Sequence, residues 1–160
     1  MGREIRRVPL DWEHPRYNRD DAPHPSQVGA YIPLFDADYQ SECDKWYQNA
    51  KNWKPTEWAK YYHEDAGNPP REENYRPRWP EDAVMGYCVY ETVSEGTPVT
   101  PVFATPEELI DYLVIHGDFW DQHRGDGGWL REAAESFVKR GFAMSLIVEN
   151  GQVKAPRDGQ

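Results

Sequence analysis

The sequence predicts an α+β fold: a small antiparallel β-sheet with helices packed on one face, preceded by a Pro-rich irregular and helical N-terminal half. Three observations carry this. "VMGYCVYETV", residues 84–93, is dense in β-formers. Two amphipathic segments follow, over 105–117 and about 128–140. "AMSLIVENGQVKA" then reads as a hairpin, with Asn150-Gly151 as a type I′ turn. Strands at both ends of a helix pair, joined by short connections, imply an antiparallel sheet with one helical face. Strict β-α-β alternation is missing, so a doubly wound nucleotide fold is not expected.

Taken in order, residues 1–35 are punctuated by Pro9, Pro15, Pro23, Pro25 and Pro33, and regular structure is not expected there. Over 36–53, Tyr39, Cys43, Trp46, Tyr47 and Ala50 fall on one helical stripe, with Asp36 able to cap it. "TEWAKYYHEDAG" reads as a second short helix from Thr56 to Gly67. "NPPREENYRPRWP" is a stiff connection. After the strand at 84–93, "SEGT" turns the chain, and the two prolines of "PVTPVF" place that segment at a sheet edge. Thr105, Pro106 and Glu108 spell a capped helix start, with Leu109, Tyr112, Leu113 and Ile115 or His116 on its buried face and Gly117 at its end. "GDFWDQHRGDGG" reads as a polar loop. The last helix buries Leu130, Ala133, Ala134 and Phe137 and stops at Gly141. One domain over 1–160 is expected: an extended arm at 1–35, a helical and irregular segment at 36–80 and the α+β core at 84–155.

Composition bounds the function. The chain has 160 residues and a mean hydropathy of -0.93, yet 14% of them are aromatic, which is unlike a disordered chain. The net charge is -10. Residues 1–35 balance Arg3, Arg6, Arg7, Arg16 and Arg19 against Glu4, Asp11, Glu13, Asp20 and Asp21, so the whole acidic excess lies beyond them. Such a surface repels nucleic acid and anionic membranes and suits a protein partner with a basic patch. The start, "MGREIRRVPLDWEHP", has no apolar run, and Cys43 and Cys88 have no metal-type spacing. A cytosolic protein with reduced thiols is expected.

The search for chemistry returns little. The five histidines make no metal pattern, and "HEDAG" lacks the second histidine of a zinc-protease helix. Ser94 in "TVSEG" is not a nucleophile elbow, and Cys43 and Cys88 fall on apolar positions. No metal, cofactor or catalytic set is expected. Glu91, Thr92, Ser94 and Glu95 form a polar rim at the 91–97 loop that the turn itself does not require. Were that loop a ligand or catalytic site, His116 or Trp129 would be expected beside it. Trp12, His14, Tyr75, Arg76 and Trp79 stand in Pro-stiffened backbone and are the residue types that anchor interfaces. The ordinary alternative is that these rings cover the protein's own core.

The blocks "REIRRVPLDWEHP", "PLFD", "GNPPREENYRP", "YETVSEGTPVTPVFATPEELIDYLV" and "GFAMSLIVENG" together resemble a family of small acidic proteins of tailed phages and prophages. The resemblance covers most of the chain in the same order. It implies a phage gene product acting in the cytoplasm of a bacterial host, and it carries no activity or catalytic residues. The resulting expectation is an accessory protein that binds a host or phage protein, for example as an inhibitor of a host defence or nucleic-acid enzyme. A small-ligand protein or enzyme using the 91–97 loop is the alternative, and a virion or assembly component the third.

Overall fold

The elements, in chain order, are β1 (Arg3–Pro9), α1 (Tyr39–Asn52), β2 (Met85–Glu91), β3 (Thr97–Pro98), α2 (Pro106–His116), α3 (Phe119–Arg124), α4 (Arg131–Arg140), β4 (Phe142–Ala143), β5 (Ile147–Glu149) and β6 (Gln152–Lys154). The structure, a computed structural model, describes residues 2–52, 67–94, 96–143, 147–149 and 152–154. The helix expected from Thr56, Glu95 and the Asn150-Gly151 turn lie outside the described residues. The fold is α+β, with an antiparallel sheet in the order β3-β2-β1-β4 and a separate β5–β6 hairpin. The chain divides into two compact units, one of Met1–Pro33 with Trp79–Gln160 and one of Leu34–Arg78.

In the larger unit the N-terminal segment differs from the expectation of irregular chain. Arg3–Pro9 is a full strand of the sheet, with Arg3 opposite Glu91 and Pro9 opposite Met85. The first proline only ends it. The prolines that argued for irregular chain fall at or beyond its end, and the charges of the strand are satisfied within the fold. Arg3 is buried and its Nε donates to Asp118 at 2.6 Å. Arg6 is buried too, its guanidinium 4.5 Å from the Tyr90 ring centre and paired with Glu4.

The two faces of β1 and β2 are covered differently. On one, Val89 packs with Val99, Leu109, Leu113, Trp129, Ala134 and Phe137 under α2 and α4, joined by Ile5 and Tyr87. On the other, Val8, Cys88 and Tyr90 pack against Trp12, Trp79 and Val102. Helices therefore lie on one face, as the pattern required, and the Pro-rich segment lies on the other. That segment is closed by its own backbone bonds: Tyr17 N–H to the Ala30 carbonyl (2.9 Å), Gly29 N–H to Tyr17 (2.8 Å) and Ile32 N–H to Pro15 (2.9 Å).

α2 begins as the sequence spells it. Thr105 Oγ1 accepts from Glu108 N–H, and the Glu108 carboxylate accepts from Thr105 N–H. Its buried face is Leu109 and Leu113. Ile115 and His116 are exposed, and so is Leu130, which sits at the N-cap of α4 rather than on its inner face. The supposed polar loop after Gly117 contains α3. Asp118 and Asp121 cap each other's backbone N–H groups reciprocally, each at 3.0 Å. The D-x-x-D spacing does the work usually done by S/T-x-x-E, which is why the signal was not read. Gly128 then returns under α2. A Cβ built there would lie 1.8 Å from the Val114 carbonyl oxygen, so only glycine fits without backbone movement.

In the smaller unit, α1 is capped by Asp38, not Asp36. Asp38 Oδ2 accepts from Ser41 N–H at 3.0 Å. Asp36 instead pairs with Arg76 at 2.8 Å. Arg78 donates to both Asp38 oxygens, at 2.8 and 3.0 Å, and with the Ser41 bonds this holds the Asp38 carboxyl far below the usual range. Cys43 is buried on the inner stripe, whereas Tyr47 is 56% exposed. Phe35 N–H bonds the Asn74 carbonyl (2.8 Å), Arg76 N–H bonds that of Phe35 (3.0 Å), and the Phe35 and Tyr39 rings lie against Tyr75.

Candidate functional site

Among the described residues, cavities of about 650 and 680 Å³ open on the larger unit. They share Arg16, Tyr31, Pro98, Thr100 and Pro101 as lining, so they meet across the Arg16–Tyr31 pair. Both volumes fall in the range of small-molecule sites. Trp12, His14 and Tyr90 line the first; Glu91, Tyr112, Phe119 and Trp120 line the second.

The first cavity is organised by a polarised chain of hydrogen bonds. The Ile32 carbonyl can only accept, so the His14 Nε2 atom 2.6 Å away carries the proton. Neutral His14 Nδ1 then accepts from Tyr90 O–H at 3.0 Å. The Tyr90 oxygen in turn accepts from Trp12 Nε1–H at 3.1 Å. Burial lowers the His14 pKa from its ordinary 6.5, and the Arg6 and Arg16 charges push the same way against the Ile32 bond. Cys88 lies beneath, its thiol pushed up to about 12 by burial. A thiol so far from ionisation is a core group rather than a nucleophile.

The second cavity is organised around Glu91, only 6% exposed. One carboxylate oxygen accepts from Trp120 Nε1–H at 2.7 Å and the other from Thr97 O–H at 3.2 Å. With the Thr97 hydrogen turned to Glu91, the hydroxyl of Ser94 donates to Thr97. Trp120 is placed there by α3, and α3 is fixed to the sheet by Arg3–Asp118. Asp121 completes the cluster, accepting from Trp129 Nε1–H at 2.7 Å and from Arg124 at 2.9 Å. The polar rim read from the sequence is thus partly the visible edge of a buried network that ties α3 to β1 and β2.

Arg16 stands where the cavities meet. Its Nη1 donates to the Gly29 carbonyl at 2.7 Å, and its guanidinium carbon lies 3.8 Å from the Tyr31 ring centre. No ion pair to Arg16 is formed among the described residues.

The structure brings Glu91 and Ser94 together, with Ser94 in the turn after β2. Thr92 is exposed, and its N–H bonds the Gly2 carbonyl at 3.0 Å. Trp12 and His14 line the neighbouring cavity, and Trp79 packs edge-on against Trp12, with ring centres 5.3 Å apart. Tyr75 and Arg76 belong to the other compact unit, where Tyr75 packs on Phe35 and Tyr39 and Arg76 pairs with Asp36. The ring beside Glu91 is Trp120, not Trp129, which is buried on Asp121 and Phe137. His116 lies against Tyr112 instead. Arg16, Tyr31, Tyr112, Phe119 and Trp120 were missed. Only Trp120 had a signal, the D-x-x-D cap around it.

Among the described residues no group of His, Cys, Asp and Glu is placed to hold a metal ion, and no helix is long and apolar enough to cross a membrane. The chain matches no family model, no curated protein and no solved structure.

Proposed function

We propose that this chain works by binding rather than catalysis, as an accessory protein of a tailed phage or prophage acting in the bacterial cytoplasm, and that its partner is a protein with a basic surface. The observation that carries the partner's character is charge: twenty-eight carboxylates stand against eighteen cations. Ion pairs such as Arg3–Asp118 and Arg78–Asp38 cancel charge one for one, so the excess of ten carboxylates sets the sign of the surface field. Commitment of Glu91, His14 and Cys88 to hydrogen bonds or burial supports binding over catalysis. Inhibition of a host defence or nucleic-acid enzyme is one concrete form of this role.

Affinity capture from bacterial lysate tests it. The expected partner is a basic protein retained at low salt and released between roughly 0.1 and 0.5 M, as screening shortens. Recovery of no protein above background at any salt, or of acidic proteins alone, would refute the reading. A second reading, small-ligand binding beside the 91–97 loop, is favoured by one observation: Glu91 lines a cavity of about 680 Å³ walled by aromatic rings.

A further inference from the structure

Resting on that second reading, we propose that the Glu91 cavity binds a small aromatic carboxylate, with Arg16 holding the carboxylate and Tyr112, Phe119 and Trp120 enclosing the ring. The first support is Arg16 itself. In a chain with so many carboxylates, this guanidinium carries none among the described residues. It is nevertheless held in place, by one bond to a carbonyl and by the Tyr31 ring, with Nε and Nη2 left to donate. A guanidinium fixed in this way loses little freedom when it takes a planar, two-oxygen anion in bidentate fashion.

The walls supply the second support. Phe119 is 53% exposed although it adjoins the cavity, and Trp120 is oriented by its bond to Glu91. An apolar ring entering there removes aromatic surface from water. Glu91 supplies the third. Each of its oxygens has accepted one donor and retains a lone pair, so the site also suits an amine or hydroxyl on the ligand. The same carboxylate, with the overall charge of -10, disfavours a doubly charged phosphate. The ligand class is therefore an aromatic acid with a single carboxylate and a hydrogen-bond donor.

Ligand-observed NMR with the full chain tests this, using phenylalanine, tyrosine, tryptophan, 4-hydroxybenzoate and indole-3-acetate, each beside its primary amide, with inorganic phosphate as competitor. At least one acid is expected to bind, its amide at least tenfold more weakly. Arg16→Ala should weaken the acid tenfold or more, and Arg16→Lys severalfold, because the ammonium keeps the charge and loses the fork. Arg19→Ala, exposed and lining neither cavity, should leave binding unchanged. Unfolding midpoints confirm that each variant is folded, and Arg16→Lys decides the matter should Arg16→Ala not fold. If no acid and no amide binds, the ligand reading falls and the proposal with it. If amides bind as well as acids, if binding survives both Arg16 variants, or if phosphate displaces the acid at equal affinity, ligand binding stands and the role given to Arg16 is overturned.

Discussion

Glu91 lines a cavity and at the same time ties elements of the fold together. Its oxygens take the Trp120 indole and the Thr97 hydroxyl while the residue is nearly buried. Glu91→Gln replaces one acceptor by a donor and leaves a buried N–H or O–H facing it. The expected loss is about 1–3 kcal/mol of stability in urea unfolding. A change under about 0.5 kcal/mol, the range of an ordinary surface substitution, would mean that the carboxylate is not tying α3 to the sheet. His14 makes a pH-dependent prediction. Its folded pKa lies below 6.5, so the unfolded chain binds the proton more tightly. The stability this residue contributes is present in full above pH 6.5 and is lost as pH falls towards the folded value. Protonation would also turn Nδ1 from acceptor to donor, against a Tyr90 oxygen already accepting from Trp12. Stability measured from about pH 7 to 5, above the ordinary carboxylate range, should fall, and His14→Gln should flatten that slope. An unchanged slope in the variant would remove His14 as its cause.

At the scale of elements, α3 separates two contributions that Asp118 makes at once. Loss of an exposed cap costs about 1 kcal/mol, the value expected for Thr105→Ala at the start of α2. Asp118 caps α3 and also neutralises buried Arg3, so Asp118→Ala should cost about 3–5 kcal/mol. Asp118→Asn keeps a good cap and loses the charge. Its cost in the same unfolding measurement should lie close to that of Asp118→Ala; a cost near that of Thr105→Ala would assign the effect to capping. What the sequence made legible follows the same division. β2, α2, α4 and the final hairpin were readable because local signals specify them: a β-rich run, a capping box, a helical stripe. β1 was not, because the prolines from Pro9 onward read as irregular chain, and the strand it pairs with, and the Asp118 that neutralises Arg3, lie far along the chain. The cap of α1 was placed at Asp36, whereas Asp38 takes it and Asp36 pairs with Arg76. Of the site, Glu91 was visible as a polar residue that the turn does not require, and Trp12 and His14 as interface-type residues in Pro-stiffened backbone. Arg16 and Tyr31 were not, since a loop closed by backbone bonds has no periodicity to reveal which side chains meet.

At the scale of the whole molecule, the order of the chain and the compactness of its parts make a last test. The chain leaves the larger unit after Pro33 and returns at Trp79. Both ends are anchored within that unit: Ile32 holds His14, His14 holds Tyr90, and Trp79 packs on Trp12, which holds Tyr90 as well. Within the larger unit, the sheet, α2, α3 and α4 share apolar clusters that include Val89, Leu109, Leu113, Trp120, Trp129 and Phe137 on one face and Val8, Cys88 and Tyr90 on the other. Closing a shorter loop is entropically cheaper, by about 0.6 kcal/mol for each halving of a flexible connection. Replacing residues 34–78 by a short Gly/Ser linker should therefore leave the larger unit folded, with cooperative unfolding and dispersed amide signals in NMR. The His14 pH response should persist in it, because every group named in that hydrogen-bond chain remains. A linker variant that is soluble but lacks cooperative unfolding would show that the α+β unit depends on residues 34–78 for its stability, and that the two compact units form one folding unit.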